Sequence, residues 1–336
     1  MISNLLNSSL LLGIIIVLPL VANLILKNKK QLMIFLFSLL LVFGAGSGLK
    51  KVTNVPRPFV TNPHILGVST NIPTDNSFPS LHTMASTLFA WSLTIIWPWL
   101  SPVWFSIAGI VALSRVYLGV HYYFDIYFGF ILATLLFWLA FFLFNKKELI
   151  KPHSNIKRKL IHLIFGISLV VLIEKNILTT GQIFIIFLIS GAGMVLSLLP
   201  QLLFIKKIIC HFERSKDHKL PAVAVWLYLL SSLITLLIFP QAIALAAIVN
   251  LAIGDSINAL TGYFFHLPAG KKSIYASLNA LIATIIVSLN FVSFKQALAA
   301  GIITGTLELI GPSIKGERVD DNLWIPIVAG LSMVLV

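Results

Sequence analysis

Residues 101–144 read "SPVWFSIAGIVALSRVYLGVHYYFDIYFGFILATLLFWLAFFLF". Two apolar runs, 102–118 and 122–144, are each near the roughly 20 residues that a helix needs to cross a bilayer. Between them lies a polar knot: Ser114, Arg115, His121 and Asp125. Working outward, comparable apolar segments recur near 9–26, 31–49, 83–98, 160–174, 178–204, 221–239, 241–263, 274–293, 296–312 and 323–336. The 336 residues are 58% hydrophobic and only 10% charged, with a mean hydropathy of +0.98. A soluble domain carries about 25% charged residues. Lipid offers backbone groups no hydrogen-bond partner, and nothing here alternates like a barrel strand, so the spanning form is helical. The sequence therefore predicts an all-α polytopic membrane protein with about twelve transmembrane helices.

The formal charge of +13 does not point to nucleic acid, because the basic residues are scattered through short loops. In a membrane protein they report orientation. With "KNKK" (27–30) placed in the cytoplasm, alternation puts 27–30, 145–159, 205–220, 264–273 and 313–322 inside, and these loops hold 18 of the 24 Lys and Arg. The N-terminus then faces outward, and a cell-membrane location is expected. The first apolar segment lacks a basic flank and reads as a first membrane helix, not a cleaved signal. The single cysteine, Cys210, excludes an internal disulfide. The most charged linker, "NKKELIKPHSNIKRK" (145–159), contains Pro152 and separates two sets of helices. It predicts two helical membrane domains, 1–150 and 151–336.

The outward exceptions to the charge rule carry the first constellation. "KKVTNVPRP" (50–58) follows the second apolar segment, "FPSLH" (78–82) precedes the third, and "SRVYLGVHYYFD" (114–125) joins the fourth to the fifth. His121 and Asp125 are four residues apart and share one face of a helix. That spacing lets a carboxylate fix the imidazole tautomer and leave its other nitrogen nucleophilic. Lys50, Arg57 and Arg115 offer charge and donors suited to phosphate oxygens, and Ser80 offers one more. His82 is a second imidazole that can protonate a leaving oxygen. Any one of these residues alone is better read as an interfacial anchor. Six ionisable groups converging on one membrane face, with Ser80 beside them, are not, since ionisable groups at membrane depth are costly and by default functional.

These residues resemble the type 2 phosphatidic acid phosphatases, integral membrane lipid phosphatases with the pattern Lys-x6-Arg-Pro, Pro-Ser-Gly-His and Ser-Arg-x5-His-x3-Asp. Lys50, Arg57 and Pro58 match the first part, Pro79, Ser80 and His82 the second, and Ser114, Arg115, His121 and Asp125 the third. The resemblance covers roughly residues 1–144. It implies that His121 forms a phosphohistidine, that Asp125 orients it, and that His82 protonates the departing group. It also implies that Lys50, Arg57, Ser80 and Arg115 bind the phosphoryl group, without a metal. The implied substrate is a lipid phosphate or diphosphate. Leu81 stands where the family has glycine; a left-handed backbone there would fit leucine badly, and slower or more selective activity is expected.

The second constellation lies in "KRKLIHL" (157–163), "CHFERSKDHKLP" (210–221), "NLAIGDSINALTGYFFHLPAGKKSIYAS" (250–277) and "TLELIGPSIKGERVDDNLWIP" (306–326). Acidic residues Asp255, Asp320 and Asp321 are candidates to hold Mg²⁺ between phosphates, with lysines balancing phosphate charge. No GxxxxGK[ST] sequence is present, so a nucleotide site would be of another kind. This half resembles the CTP-dependent lipid-alcohol kinases, which include dolichol, phytol and related diacylglycerol kinases. The matching residues are Arg158, Lys159 and His162; Glu213, Arg214 and Pro221; Gly254, Asp255, Ala259 and Gly262; Lys271, Lys272 and Ser273; Glu308; and Asp321, Asn322 and Pro326. The resemblance implies Mg²⁺-dependent phosphoryl transfer from CTP to a lipid alcohol on the cytoplasmic side. Tyr275-Ala276-Ser277 replaces the usual Glu-Gly-Ser. A cytidylyltransferase is the nearest rival. A phosphatase with a degenerate second half, and a lipid transporter, are the other readings. Fusion of the two halves suggests a shared lipid, for which a polyprenol carrier fits.

Overall fold

Apolar periodicity is read out as helix along the chain. The computed structural model describes residues 9–62, 73–147, 155–199, 222–265, 273–310 and 320–336, with short pieces between them (204, 206–207, 210, 313–314 and 317–318). The chain divides into two compact units, Met1–Lys146 and Lys147–Val336.

In the first unit the helices are α1 (Ser9–Ile25), α2 (Lys29–Thr53), α3 (Leu81–Ile96), α4 (Ser101–Tyr117) and α5 (Tyr123–Phe144). A short helical turn, Pro58–Thr61, follows α2. The α3 helix is the centre: it packs against α1, α2, α4 and α5. Ile15 and Ala22 of α1 bury against Ala85, Phe89 and Leu93 of α3 and Val111 of α4. Deeper in, Trp91 stacks on Phe137 (5.5 Å between ring centroids) and meets Phe105 and Trp138 edge-on. Its indole N–H donates to Thr134 Oγ1 at 3.0 Å. A buried indole needs such a partner, so this bond fixes how α3 and α5 face each other.

The second unit holds α6 (Asn155–Glu174), α7 (Thr180–Leu196), α8 (Val223–Ile238), α9 (Gln241–Gly262), α10 (Ile274–Ser288), α11 (Phe294–Ile310) and α12 (Asp321–Val334). A two-residue antiparallel pairing, Ser313–Ile314 with Glu317–Arg318, precedes α12. The α9 helix runs through the middle, packed on α6, α8, α10, α11 and α12. Small residues make this possible. Ala246 and Ala247 pack with Ala300, Ala329 and Met333, and a Cβ added at Gly166 of α6 would collide with Tyr228 and Ala252. Close backbone approach at small side chains is how helices associate where lipid removes the hydrophobic incentive.

Each expected apolar segment coincides with one of these helices. Among the described residues four spans, Lys29–Thr61, Pro98–Tyr117, Tyr123–Phe144 and Gln241–Phe265, are long and apolar enough to cross a membrane by length and composition, and six other apolar helices are shorter.

Candidate active site

The site of the first unit is assembled where helices end. Lys50 lies in the last turn of α2, where a cation is favoured by the helix dipole. Arg57 precedes Pro58 and is extended, as the residue before a proline must usually be. Ser80 caps α3, accepting from Thr83 N–H at 3.4 Å and from the Thr83 hydroxyl at 3.0 Å. A hydroxyl that accepts still has its own hydrogen to donate. Between α4 and α5 the chain turns through Gly119, whose φ of 69° is the left-handed conformation that glycine adopts without strain. The turn is closed by Val120 and His121 N–H groups donating to the Arg115 carbonyl at 3.1 and 3.2 Å.

This turn delivers His121 to Asp125. His121 Nδ1 lies 3.2 Å from Asp125 Oδ2. The same oxygen accepts from Tyr122 N–H at 2.9 Å, so one carboxylate both caps α5 and orients the imidazole. Nδ1 then carries the proton, and Nε2 presents its lone pair. Nε2 faces the Arg57 guanidinium, with Nη1 at 3.4 Å. That nitrogen of Arg57 also donates to the Val120 carbonyl at 2.8 Å, which fixes the fork. Burial pushes His121 down to about 4, against the raising effect of its bond to Asp125. The ring is therefore neutral at neutral pH, the form a nucleophile requires. Arg115 is buried and bonds the Ser114 hydroxyl at 3.3 Å. His82, in the first turn of α3, lies within the field of Arg115, His121, Arg57 and Lys50. Arg57, His121 and Asp125 are thus joined by direct contacts, Ser80 N–H reaches the Asp125 carbonyl at 3.3 Å, and Lys50, His82 and Arg115 are near enough to act on this group through their charge.

Leu81 causes no backbone strain. It is in the first turn of α3, and none of the positive φ angles among the described residues belongs to it. Its side chain instead occupies space over Gly46 of α2, where an added Cβ would collide with Leu81 Cδ2.

Two residues of the site are not singled out by sequence. Ser77 Oγ donates to Asp125 Oδ2 at 2.5 Å and lies 3.3 Å from His121 Nδ1. Asp75 bridges the two cations, with Oδ2 3.0 Å from Lys50 Nζ and Oδ1 2.6 Å from Arg57 Nη2. Burial alone would raise the Asp75 carboxyl, but hydrogen bonds from Lys50 and Arg57, and their charge, hold it below its ordinary value. The sequence signal for either is position alone, just ahead of "FPSLH".

In the second unit the polar residues gather on α9. Asp255 is buried, bonded by Lys159 Nζ of α6 and faced by His162 Nδ1 at 3.5 Å. Lys159 and His162 are three apart on one face of α6, and the Arg158 charge also reaches Asp255. Asn258, three residues beyond Asp255, donates to Glu308 Oε2 at 2.8 Å. Carboxylate oxygens of Asp255, Glu308 and Asp321 all lie within 4.8 Å of one another. This differs from the expected trio: Glu308 takes the third place, because Asp320 is spent as the cap of α12, accepting from Asn322 N–H at 3.0 Å. Asn322 donates to the Ala224 carbonyl at 3.3 Å, and Ser273 caps α10. Arg214, Lys271 and Lys272 lie outside the described residues. Lys159 emerges as a central residue of the cluster.

No curated protein and no solved structure matches the chain. The family match ends at residue 149 and does not reach the helices of the second unit. Residues 31–149 match the family model of the PAP2 superfamily, and this stretch includes every site residue from Lys50 to Asp125.

Proposed function

We propose that the first unit is a metal-independent, phosphohistidine-type phosphatase acting on a lipid phosphate or diphosphate. The observation that carries this reading is the doubly fixed imidazole: Nδ1 toward Asp125 and Nε2 toward Arg57. In the first step His121 Nε2 attacks phosphorus and the bond to the leaving oxygen breaks; burial and the neighbouring cations push His82 down to about 3, so it supplies the proton that oxygen needs only once the negative charge of the bound phosphate has let it take one up. Lys50, Arg57, Arg115 and Ser80 stabilise the charge on the transferring phosphoryl oxygens. In the second step water attacks the phosphohistidine, His82 takes the proton, and free imidazole and inorganic phosphate result. Purified protein in detergent should release phosphate from a lipid phosphate, and His121→Ala should lose that activity by at least about 1,000-fold. Wild-type rates in His121→Ala would end the assignment. A lipid transporter would instead release no phosphate at all.

For the second unit we infer a CTP-dependent lipid-alcohol kinase site. Support comes from three converging carboxylates beside Lys159. Hard oxygen donors of this kind suit Mg²⁺, and Asp255, Glu308 and Asp321 would hold it. The ion would neutralise nucleotide phosphate charge. Lys159 would keep Asp255 ionised and aimed, and Asn258 would hold Glu308. With γ-labelled CTP and a panel of polyprenol, phytol and diacylglycerol, label should enter one lipid and be lost in Asp255→Ala. Transfer from α-labelled CTP instead would favour the cytidylyltransferase, and no transfer from either would favour a degenerate scaffold. The lysine and arginine distribution supports an outward phosphatase face and a cytoplasmic kinase face. A shared polyprenyl lipid fits both; strong phosphorylation of diacylglycerol with none of polyprenols would refute it.

A further inference from the structure

The phosphatase reading leaves the Asp75 side chain without a role, and a role for it rests on the same reading. Asp75 is neither the nucleophile nor its orienting carboxylate, yet it sits on the phosphoryl-binding cations. Its two oxygens are divided between Lys50 Nζ and Arg57 Nη2, at 3.0 and 2.6 Å. Its backbone carbonyl accepts from Arg57 Nε at 2.7 Å. This is the two-point geometry in which a guanidinium and an ammonium grip the oxygens of a phosphate. The same guanidinium faces His121 Nε2, the atom to which phosphorus must come. A phosphoryl group on His121 and the Asp75 carboxylate therefore call on the same donors.

The two sides of this contact differ in exposure. Lys50 and Arg57 side chains are 7% and 6% exposed, whereas that of Asp75 is 51% exposed. The cations are fixed in the protein and the carboxylate reaches them from its open side. The backbone beside it is anchored separately: Asn76 donates to the Lys50 carbonyl at 2.8 Å and to Asn54 Oδ1 at 3.0 Å, and Ser77 N–H donates to the Val55 carbonyl at 2.9 Å. The carboxylate can leave the cations by side-chain rotation, with these anchors intact. Two buried cations with no anion beside them would be costly, so a resident anion is needed whenever substrate is absent.

We propose that Asp75 is an exchangeable internal counter-ion of the phosphoryl site: it neutralises Lys50 and Arg57 between turnovers, yields to the substrate phosphate, and by returning expels the product phosphate. It is a competitor built into the site, and it sets apparent affinity for both substrate and product. If the cradle is occupied by Asp75 for about nine-tenths of the time, every phosphoryl ligand binds about tenfold more weakly than the bare cradle would allow.

The test uses the full chain in detergent with a lipid phosphate as substrate and inorganic phosphate as inhibitor. Asp75→Asn keeps the shape and removes the charge. The inhibition constant of inorganic phosphate and the KM should both fall, each by about tenfold. A parallel measurement needs no turnover: the affinity for inorganic phosphate, followed by ³¹P NMR, should tighten by the same factor from His121→Ala to the His121→Ala, Asp75→Asn double variant. Unchanged or weaker phosphate affinity in either comparison overturns the proposal and makes Asp75 a structural clamp on Lys50 and Arg57. Absence of phosphate release from the wild type would instead refute the phosphatase reading, and the NMR comparison would still report whether Asp75 guards an anion site.

Discussion

The two units solve opposite electrostatic problems. The first gathers three cations, Lys50, Arg57 and Arg115, around a neutral imidazole, with Asp125 turned to the imidazole's far side. It can grip an anionic group directly. The second brings carboxylate oxygens of Asp255, Glu308 and Asp321 within 4.8 Å of one another beside Lys159. Converging carboxylates repel and favour a cation between them, and Lys159 and His162 already face Asp255. The difference also lies in where the residues stand. The first site is built at helix ends, from caps and a glycine turn. The second combines Asp255 and Asn258 from the length of α9 with Glu308 in the last turn of α11 and Asp321 at the start of α12.

Removing divalent cations should separate the two sites most clearly. EDTA should abolish label transfer from CTP and leave phosphate release unchanged, as measured in parallel assays on one preparation. Equal loss of both would mean that the two sites are not chemically distinct. Within the first site, Asp125→Asn should slow phosphate release by about 10²–10⁴-fold, because the nucleophile remains but its tautomer is no longer held. Ser77→Ala, which removes one donor to the same carboxylate, should cost roughly tenfold. Steady-state rates at saturating substrate order the two; a larger effect at Ser77 would reverse the hierarchy.

Proton occupancy sharpens the account. A histidine whose value is depressed takes up its proton at lower pH, so His121 stays neutral as pH falls from 7 and protonates only near 4. In the unfolded chain it would protonate near 6.5. Folding stability from this group is therefore complete above 6.5 and declines as pH drops toward 4. An NMR titration of ring-labelled histidine, assigned with His121→Ala, should show this; a midpoint near 6.5 would mean that the ring is not desolvated.

The smallest expected effect concerns packing. Gly46→Ala places a methyl group against the flexible end of Leu81, whose displacement offsets the gain in helix propensity, so the protein should be destabilised by no more than about 1 kcal/mol. Leu81→Ala in the same chain should restore most of the loss, as read from thermal unfolding in detergent. Without such rescue, Leu81 and Gly46 are not a compensating pair.

Much of the first site is legible in the sequence because its relations are local. His121 and Asp125 are four apart, and Ser114-Arg115 precedes them by a short turn; a helix end fixes such neighbours wherever it is placed. The Asp75 contacts with Lys50 and Arg57 are different. They depend on the chain returning to the end of α2 through bonds such as Ser77 N–H to the Val55 carbonyl, and no periodicity encodes that return. The same holds for the carboxylate trio. Asp320 and Asp321 are adjacent in sequence, but the cap of α12 uses one and leaves the other for the cluster. Lys159 is visible in sequence as part of a basic run and becomes a partner of Asp255 only once α6 packs on α9. Helix positions follow from apolar runs, whereas the close approach at Gly166 and Ala252 depends on which faces meet.

The central claim is that His121 carries the phosphoryl group. The direct measurement is rapid quenching of the protein with lipid phosphate labelled in its phosphate, followed by recovery of the protein and mapping of the label. The account predicts label on the peptide containing His121, stable to base and lost in mild acid as a phosphohistidine is, and absent from His121→Ala. An active protein that carries no such label, or carries it on another residue, would contradict it.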